Sequence, residues 1–151
     1  MTDFTIEVDD SRVRARLQGM PAKLQQALVR KTTVLRLQLE AKVKSKTPVK
    51  TGALRRGVFS DQSATATTVE GRVAESADVK YGRYVEEGTS PHDILPSKAN
   101  VLAFVVGGKK VFAKIVHHPG TKGQWMFRDS LAEMRPEIIE GYRETTKEAE
   151  L

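Results

Sequence analysis

Few residues of this sequence are of a type and spacing that could do chemistry: His92, the pair His117-His118, the pair Glu86-Glu87 and the run Gly107-Gly108-Lys109-Lys110. Imidazole is a common metal ligand and general base. A chelate needs its ligands on one face at short spacing, and no His-x-His or His-x3-His pair occurs. Neighbours on a strand point to opposite faces, which separates His117 from His118. Histidines packed in a loop or at the base of a hairpin are the expectation. Glu86 and Glu87 are adjacent as well, and adjacent helical residues do not face each other. They make no acid–base pair across a cleft, and a salt bridge or a solvated helix end is expected instead. The Gly-Gly-Lys-Lys run lacks the spaced first glycine of a phosphate loop and the Ser or Thr that follows its lysine. It reads as a turn. No serine sits in a Gly-x-Ser-x-Gly elbow. The absence of cysteine excludes disulfides, thiolate metal sites and cysteine nucleophiles. The residues point to no enzyme, no metal and no cofactor.

Charge is the stronger signal. The 151 residues carry a net charge of +6, and its distribution is uneven. Between Ser11 and Arg56 there are thirteen Lys or Arg against one acid, Glu40. From Glu133 to Leu151 there are six acids and three bases, and Met1 to Asp10 has four acids and no base. A chain with one basic segment and acidic ends can pair head to tail with copies of itself, lay the basic segment on nucleic acid, or simply solvate its helix faces. Lys42, Lys44, Lys46, Lys50, Arg55 and Arg56 are the candidates for phosphate or subunit contact. Only 6% of residues are aromatic, with no aromatic–basic interleaving that would offer bases a stacking platform. Sequence-specific recognition is not expected; weak contact with passing phosphates through Lys42, Lys44, Lys46, Arg55 and Arg56 is compatible with this footprint.

The elements that must position these residues follow from periodicity. Hydrophobic residues at 39% and charged residues at 29% describe a globular chain of one domain, 1–151, large enough for a core. No apolar run approaches the ~20 residues of a membrane span, and the acidic start Met1-Thr2-Asp3-Phe4 does not read as a signal peptide. Phe4, Ile6 and Val8 alternate as in a short strand, Asp3 to Val8. A helix capped by Asp9, Asp10 or Ser11 follows and is interrupted at Gly19 and Pro21. From Ala22 to about Lys46 the pattern is helical, with Leu24, Leu28, Leu35, Leu39 and Val43 on one stripe and Ala27, Val34 and Ala41 beside it. Thr47-Pro48 ends it.

Beyond Thr51-Gly52, Ala53 to Phe59 and Thr65 to Glu75 read as strands. Tyr81, Tyr84 and Val85 suggest a short helix with these residues in the core, stopped by Gly88. Ser90 to Ala99 is expected to be an exposed loop. Val101 to Val106 and Val111 to Val116 form a hairpin long enough to project. From Trp125 a last helix buries Met126, Leu131, Met134, Ile138 and Tyr142, broken mildly at Pro136. The expected class is α+β: a long N-terminal helix and a C-terminal helix packed on a mainly antiparallel sheet, with a protruding hairpin.

Three segments in order then carry a resemblance. They are Thr47-Pro48-Val49-Lys50-Thr51-Gly52-Ala53-Leu54-Arg55-Arg56-Gly57-Val58 after a basic helix, Tyr81-Gly82-Arg83-Tyr84-Val85-Glu86-Glu87-Gly88-Thr89, and His118-Pro119-Gly120-Thr121-Lys122-Gly123-Gln124-Trp125-Met126-Phe127-Arg128-Asp129-Ser130-Leu131. From about Ala22 to Tyr142 the chain resembles the tail-completion, or neck, proteins of long-tailed bacteriophages. The third motif departs from that family in having Trp125-Met126-Phe127 where Pro-Phe is usual, and Ser90 to Lys114 is enlarged.

The resemblance implies a non-enzymatic virion component, made in the host bacterial cytoplasm, that forms a homo-oligomeric ring in the neck. Its implied partners are head-connector and tail-terminator or tail-tube proteins, with transient contact to phage DNA and no membrane. The motif residues Pro48, Gly52, Tyr81, Tyr84, Gly88, Pro119, Gly120, Trp125 and Phe127 are then structural. The loop and hairpin residues Ile94, Leu95, Phe104, Lys109, Lys110 and Phe112 are the candidates for reaching a neighbouring subunit. An alternative class is a nucleic-acid-binding accessory or assembly protein, resting on the basic footprint.

Overall fold

The structure is a computed structural model that describes residues 22–97 and 99–149. The strand and first helix expected before Pro21 lie outside the described residues. The fold is α+β. Its elements are α1 (Ala22–Lys46), α2 (Ala53–Gly57), β1 (Val58–Ala64), β2 (Val69–Glu75), α3 (Gly82–Glu87), β3 (Gly88–Thr89), β4 (His92–Ile94), β5 (Leu102–Val106), β6 (Lys109–Ala113), β7 (Val116–His118), β8 (Thr121–Lys122) and α4 (Met126–Ala149). They divide into two compact units, one built from the chain up to Gly82 and from Met126 onward, the other from Arg83–Trp125.

In the first unit α1 is the central element. Leu28, Thr32, Leu35 and Val43 form its buried stripe, spaced three, four or eight apart so that they fall on one face. Thr47 closes the helix: its N–H and its hydroxyl both donate to the Val43 carbonyl, at 3.0 and 2.8 Å. These bonds satisfy one of the orphan acceptors of a helix end. Val34 and Ala41, expected to flank the core, are exposed.

Helix α4 lies antiparallel along one flank of α1. Lys42 and Lys46, near the end of α1, reach Glu133 near the start of α4, and mid-helix Thr32 hydrogen-bonds Tyr142 at 2.7 Å. The ribbon β1–β2 covers another flank. Alternation puts Ser60 and Gln62 on its inner face, where Gln62 Nε2 donates to the Val29 carbonyl at 3.0 Å and Arg36 donates to Ser60 Oγ at 2.7 Å. The core of this unit is Leu28, Leu35, Val43, Leu54, Val58, Met126 and Met134. The expected single sheet under both helices is replaced by a two-stranded ribbon under α1, with α4 packed on α1.

Three local expectations change. Ala53 to Gly57 is a short helix, and the strand starts only at Val58. Gly52, at φ 76°, turns the chain so tightly that the Arg56 N–H bonds the Gly52 carbonyl at 3.0 Å, which favours a helical turn over an extended start. The strand expected from Thr65 begins at Val69, because the Thr65 hydroxyl accepts from Thr67 and Thr68 N–H and holds a turn there. Helix α4 runs unbroken through Pro136, which is exposed, on the side where a missing backbone bond is solvated.

The second unit is a long two-stranded arm. β3 pairs with β8 and β4 with β7 in one continuous register, His92 opposite His118 and Gly88 opposite Lys122. Pro91 and Pro119, which lack an N–H, stand where the ladder is interrupted. Further out, β5 and β6 form a hairpin across Gly107-Gly108. Both turn glycines have positive φ, 56° and 81°, as a two-residue hairpin turn requires. The turn is tighter than expected, because Lys109 and Lys110 belong to β6. The stretch expected to be all loop before it contains β4. No hydrophobic residue of the arm reaches the burial of the core residues.

Candidate inter-subunit surfaces

Three basic positions at the end of α1 are engaged by carboxylates. Glu133 accepts from Lys42 at 3.0 Å and from Lys46 at 2.5 Å, and Glu40 accepts from Lys44 at 2.5 Å. The Lys46 and Lys42 ammonium groups hold the Glu133 carboxyl below the usual glutamate range. Lys44, then the Ser60 hydroxyl, do the same for Glu40. Lys42, Lys44 and Lys46 are therefore bridged to carboxylates in this fold, a pairing across 87 residues of sequence for Lys46 that no local pattern displays. Lys50, Arg55 and Arg56 differ. All three are exposed; among the described residues Arg55 and Arg56 donate to the Thr47 and Thr51 carbonyls, at 3.5 and 3.3 Å. The cationic surface concentrates on this loop and on α2, with Arg55 and Arg56 on a helical turn where a strand was expected.

In the arm, His92 and His118 stack as a cross-strand pair, ring centroids 5.0 Å apart at 28°. On the opposite face His117 Nδ1 meets Asp93 Oδ1 at 2.5 Å. The hydrogen bonds assign tautomers. His92 Nδ1 donates to the Ser90 carbonyl at 2.9 Å, whereas His118 Nδ1 accepts from the Gly120 N–H at 3.0 Å. A metal on His118 Nε2 would require the ring hydrogen on Nδ1, facing that N–H. The pair is built as a stacked spacer between strands. Among the described residues, no group of three His, Asp or Glu is placed to hold a metal ion.

The motif residues position the foot of the arm. Gly88 and Gly120 have φ of 82° and 85°; a Cβ on Gly88 would stand 2.2 Å from the Thr121 carbonyl oxygen, and one on Gly120 would stand 2.2 Å from that of Thr89. Side chains cannot occupy that space. The Gln124 and Trp125 N–H groups bond the Val85 and Glu86 carbonyls at 2.8 and 3.1 Å. Trp125, at φ 51°, ends the arm, and α4 begins one residue later. Glu86, expected as a solvated end, is buried; Glu87 takes the expected ion pair, with Arg83 at 2.8 Å. Tyr81 and Tyr84 are not core residues: Tyr84 is 60% exposed. In so short a helix the inward positions are Gly82, Val85 and Glu86, which turns Tyr84 outward.

The tip of the arm exposes its apolar side chains on both faces. The register puts Ala103, Val105, Lys110 and Phe112 on one face, and Leu102, Phe104, Val106, Lys109 and Val111 on the other. Phe112 is 65% and Val105 64% exposed, and Phe104, Ile94 and Leu95 are exposed too. Alternation of residues signals the hairpin; the absence of any core beneath it emerges only in three dimensions.

The chain matches no protein-family model, no curated protein and no solved structure.

Proposed function

We propose that this chain is a non-enzymatic structural protein of a tailed phage virion, a tail-completion or neck component whose copies form a ring joining the tail to the head connector. The observation that carries the reading is the arm. Two strands alone are marginally stable in water, and large apolar side chains left exposed on them, Val105, Phe112 and Ile94 among them, suit a surface covered by a protein partner. An α+β unit with a core, followed in the same chain by a unit whose apolar side chains have none, suits a subunit that completes its structure on its neighbours. The ordered motifs around Pro48-Gly52, Tyr81-Gly88 and Pro119-Phe127 support the same reading, since the glycines among them shape the connection into α2 and the foot of the arm. Among the described residues no helix is long and apolar enough to cross a membrane.

Cryo-electron microscopy of intact particles tests the assignment. The expected result is a ring of density between head connector and tail tube that fits the body and arm. Purified particles without the chain, with the protein free in the lysate, would overturn it. A second reading, a nucleic-acid-binding accessory or assembly protein, is favoured by one observation: the cations of Lys50, Arg55 and Arg56 have no carboxylate partner among the described residues. In a ring, the same loop faces the DNA channel.

A further inference from the structure

We propose that the tip of the arm of one copy docks in the groove between α1 and α4 of a second copy; the proposal deepens the ring reading above and rests on it. The groove, of about 310 Å³, is lined by Val34, Leu35 and Gln38 of α1 and by Glu137, Glu140 and Glu144 of α4. On its α1 side the exposed apolar side chain is Val34, 52% open to solvent, set between Lys31 and Gln38 above the buried Leu35. Its α4 side is a row of carboxylates spaced three and four residues apart, so they share one helix face.

Like charges at this spacing oppose each other. Arg143 offsets Glu140 at 2.6 Å, and Lys31 borders the groove. Glu137 and Glu144 have no ion pair among the described residues.

The arm presents the complement. One face of its tip carries Phe112 and Val105 beside the ammonium of Lys110, with Lys109 next to it on the other face. Laid into the groove, that face sets Phe112 and Val105 against Val34, and Lys110 on the carboxylate row. Neither face of the tip has a core beneath it within its own unit, and Val34 stays half open to solvent. A contact between two different surfaces of identical copies is heterologous, and it closes into a ring when the rotation per copy allows.

A charge swap tests the contact. Lys109→Glu with Lys110→Glu makes arm and groove both acidic; Glu137→Lys with Glu144→Lys makes both basic. Each double variant alone should lose the self-association of the wild type in sedimentation velocity at low salt. An equimolar mixture of the two should recover it, because acidic arms then meet basic grooves. Phe112→Ser, at an exposed position that leaves the fold intact by circular dichroism, should weaken association about fivefold or more. A mixture that fails to recover association, a Phe112→Ser variant that associates like wild type, or a wild-type chain monomeric at every concentration would each overturn the docking. Ring density at the neck with no effect of the swaps would retain the neck reading and remove this contact alone.

Discussion

At the scale of single residues, buried polar groups and bridging carboxylates set the local energetics. Ser130 is fully buried in α4, and its Oγ has no hydrogen-bond partner among the described residues. An unpaired buried hydroxyl costs about 1–3 kcal/mol, so Ser130→Ala is expected to stabilise the first unit by about 1 kcal/mol, measured by urea unfolding. Glu133 behaves oppositely, since Lys46 and Lys42 both depend on it. Its carboxyl, like those of Glu40 beside Lys44 and Asp61 beside Arg72, is held below the ordinary value in the fold. Carboxylates lowered by folding contribute stability that is fully present above their unfolded values and lost as pH falls through the folded ones. The melting temperature should therefore fall on acidification below the ordinary glutamate value of 4.5. Glu133→Gln should lower the melting temperature at neutral pH and make the acid decline shallower, followed by thermal melts between about pH 6 and pH 3.

At the scale of elements, sequence and structure agree best where the pattern is long and local. The apolar spacing of Ala22–Lys46 marks α1 with its observed limits, because a helix of this length is specified by its own repeat and by the Thr47-Pro48 stop. Helix α4 is legible for the same reason, including the burial of Met126 and Met134. Short elements are harder to read. The five residues of α2 have no period to display, and the left-handed Gly52 before them decides their geometry. Tyr84 follows a helical spacing, but spacing alone cannot say which face of a six-residue helix points inward. Pro136 gives an element-scale test. It interrupts one backbone bond in an otherwise continuous helix and faces solvent. Pro136→Ala should restore that bond and raise stability by about 1–3 kcal/mol, read from the helical signal at 222 nm during unfolding. An unchanged or lowered midpoint would mean the helix needs its proline.

At the scale of the whole molecule, the division into a body with a core and an arm without one is the property on which the proposed function turns. Lys50, Arg55 and Arg56, which have no carboxylate partner among the described residues, belong to the first unit. If Lys50, Arg55 and Arg56 meet DNA in the channel, replacing all three with Ala should weaken binding to mixed-sequence duplex. The plot of log affinity against log salt should flatten by about 0.9 for each phosphate left unneutralised. Replacing Lys42, Lys44 and Lys46 should change it less, because Glu40 and Glu133 offset two of their three charges. Equal slopes for the two sets would return the lysines at the end of α1 to the interface. The α+β class, the two long helices, the hairpin with its Gly107-Gly108 turn and the concentration of positive charge before Arg56 are each written in neighbouring residues through period, turn chemistry or composition. It takes the folded chain to bridge Glu133 to both Lys42 and Lys46, to pack α4 on α1 and to leave the apolar residues of the arm over no core. Those outcomes depend on which side chains meet across 87 residues or more, and a local pattern holds no information about which distant partner arrives.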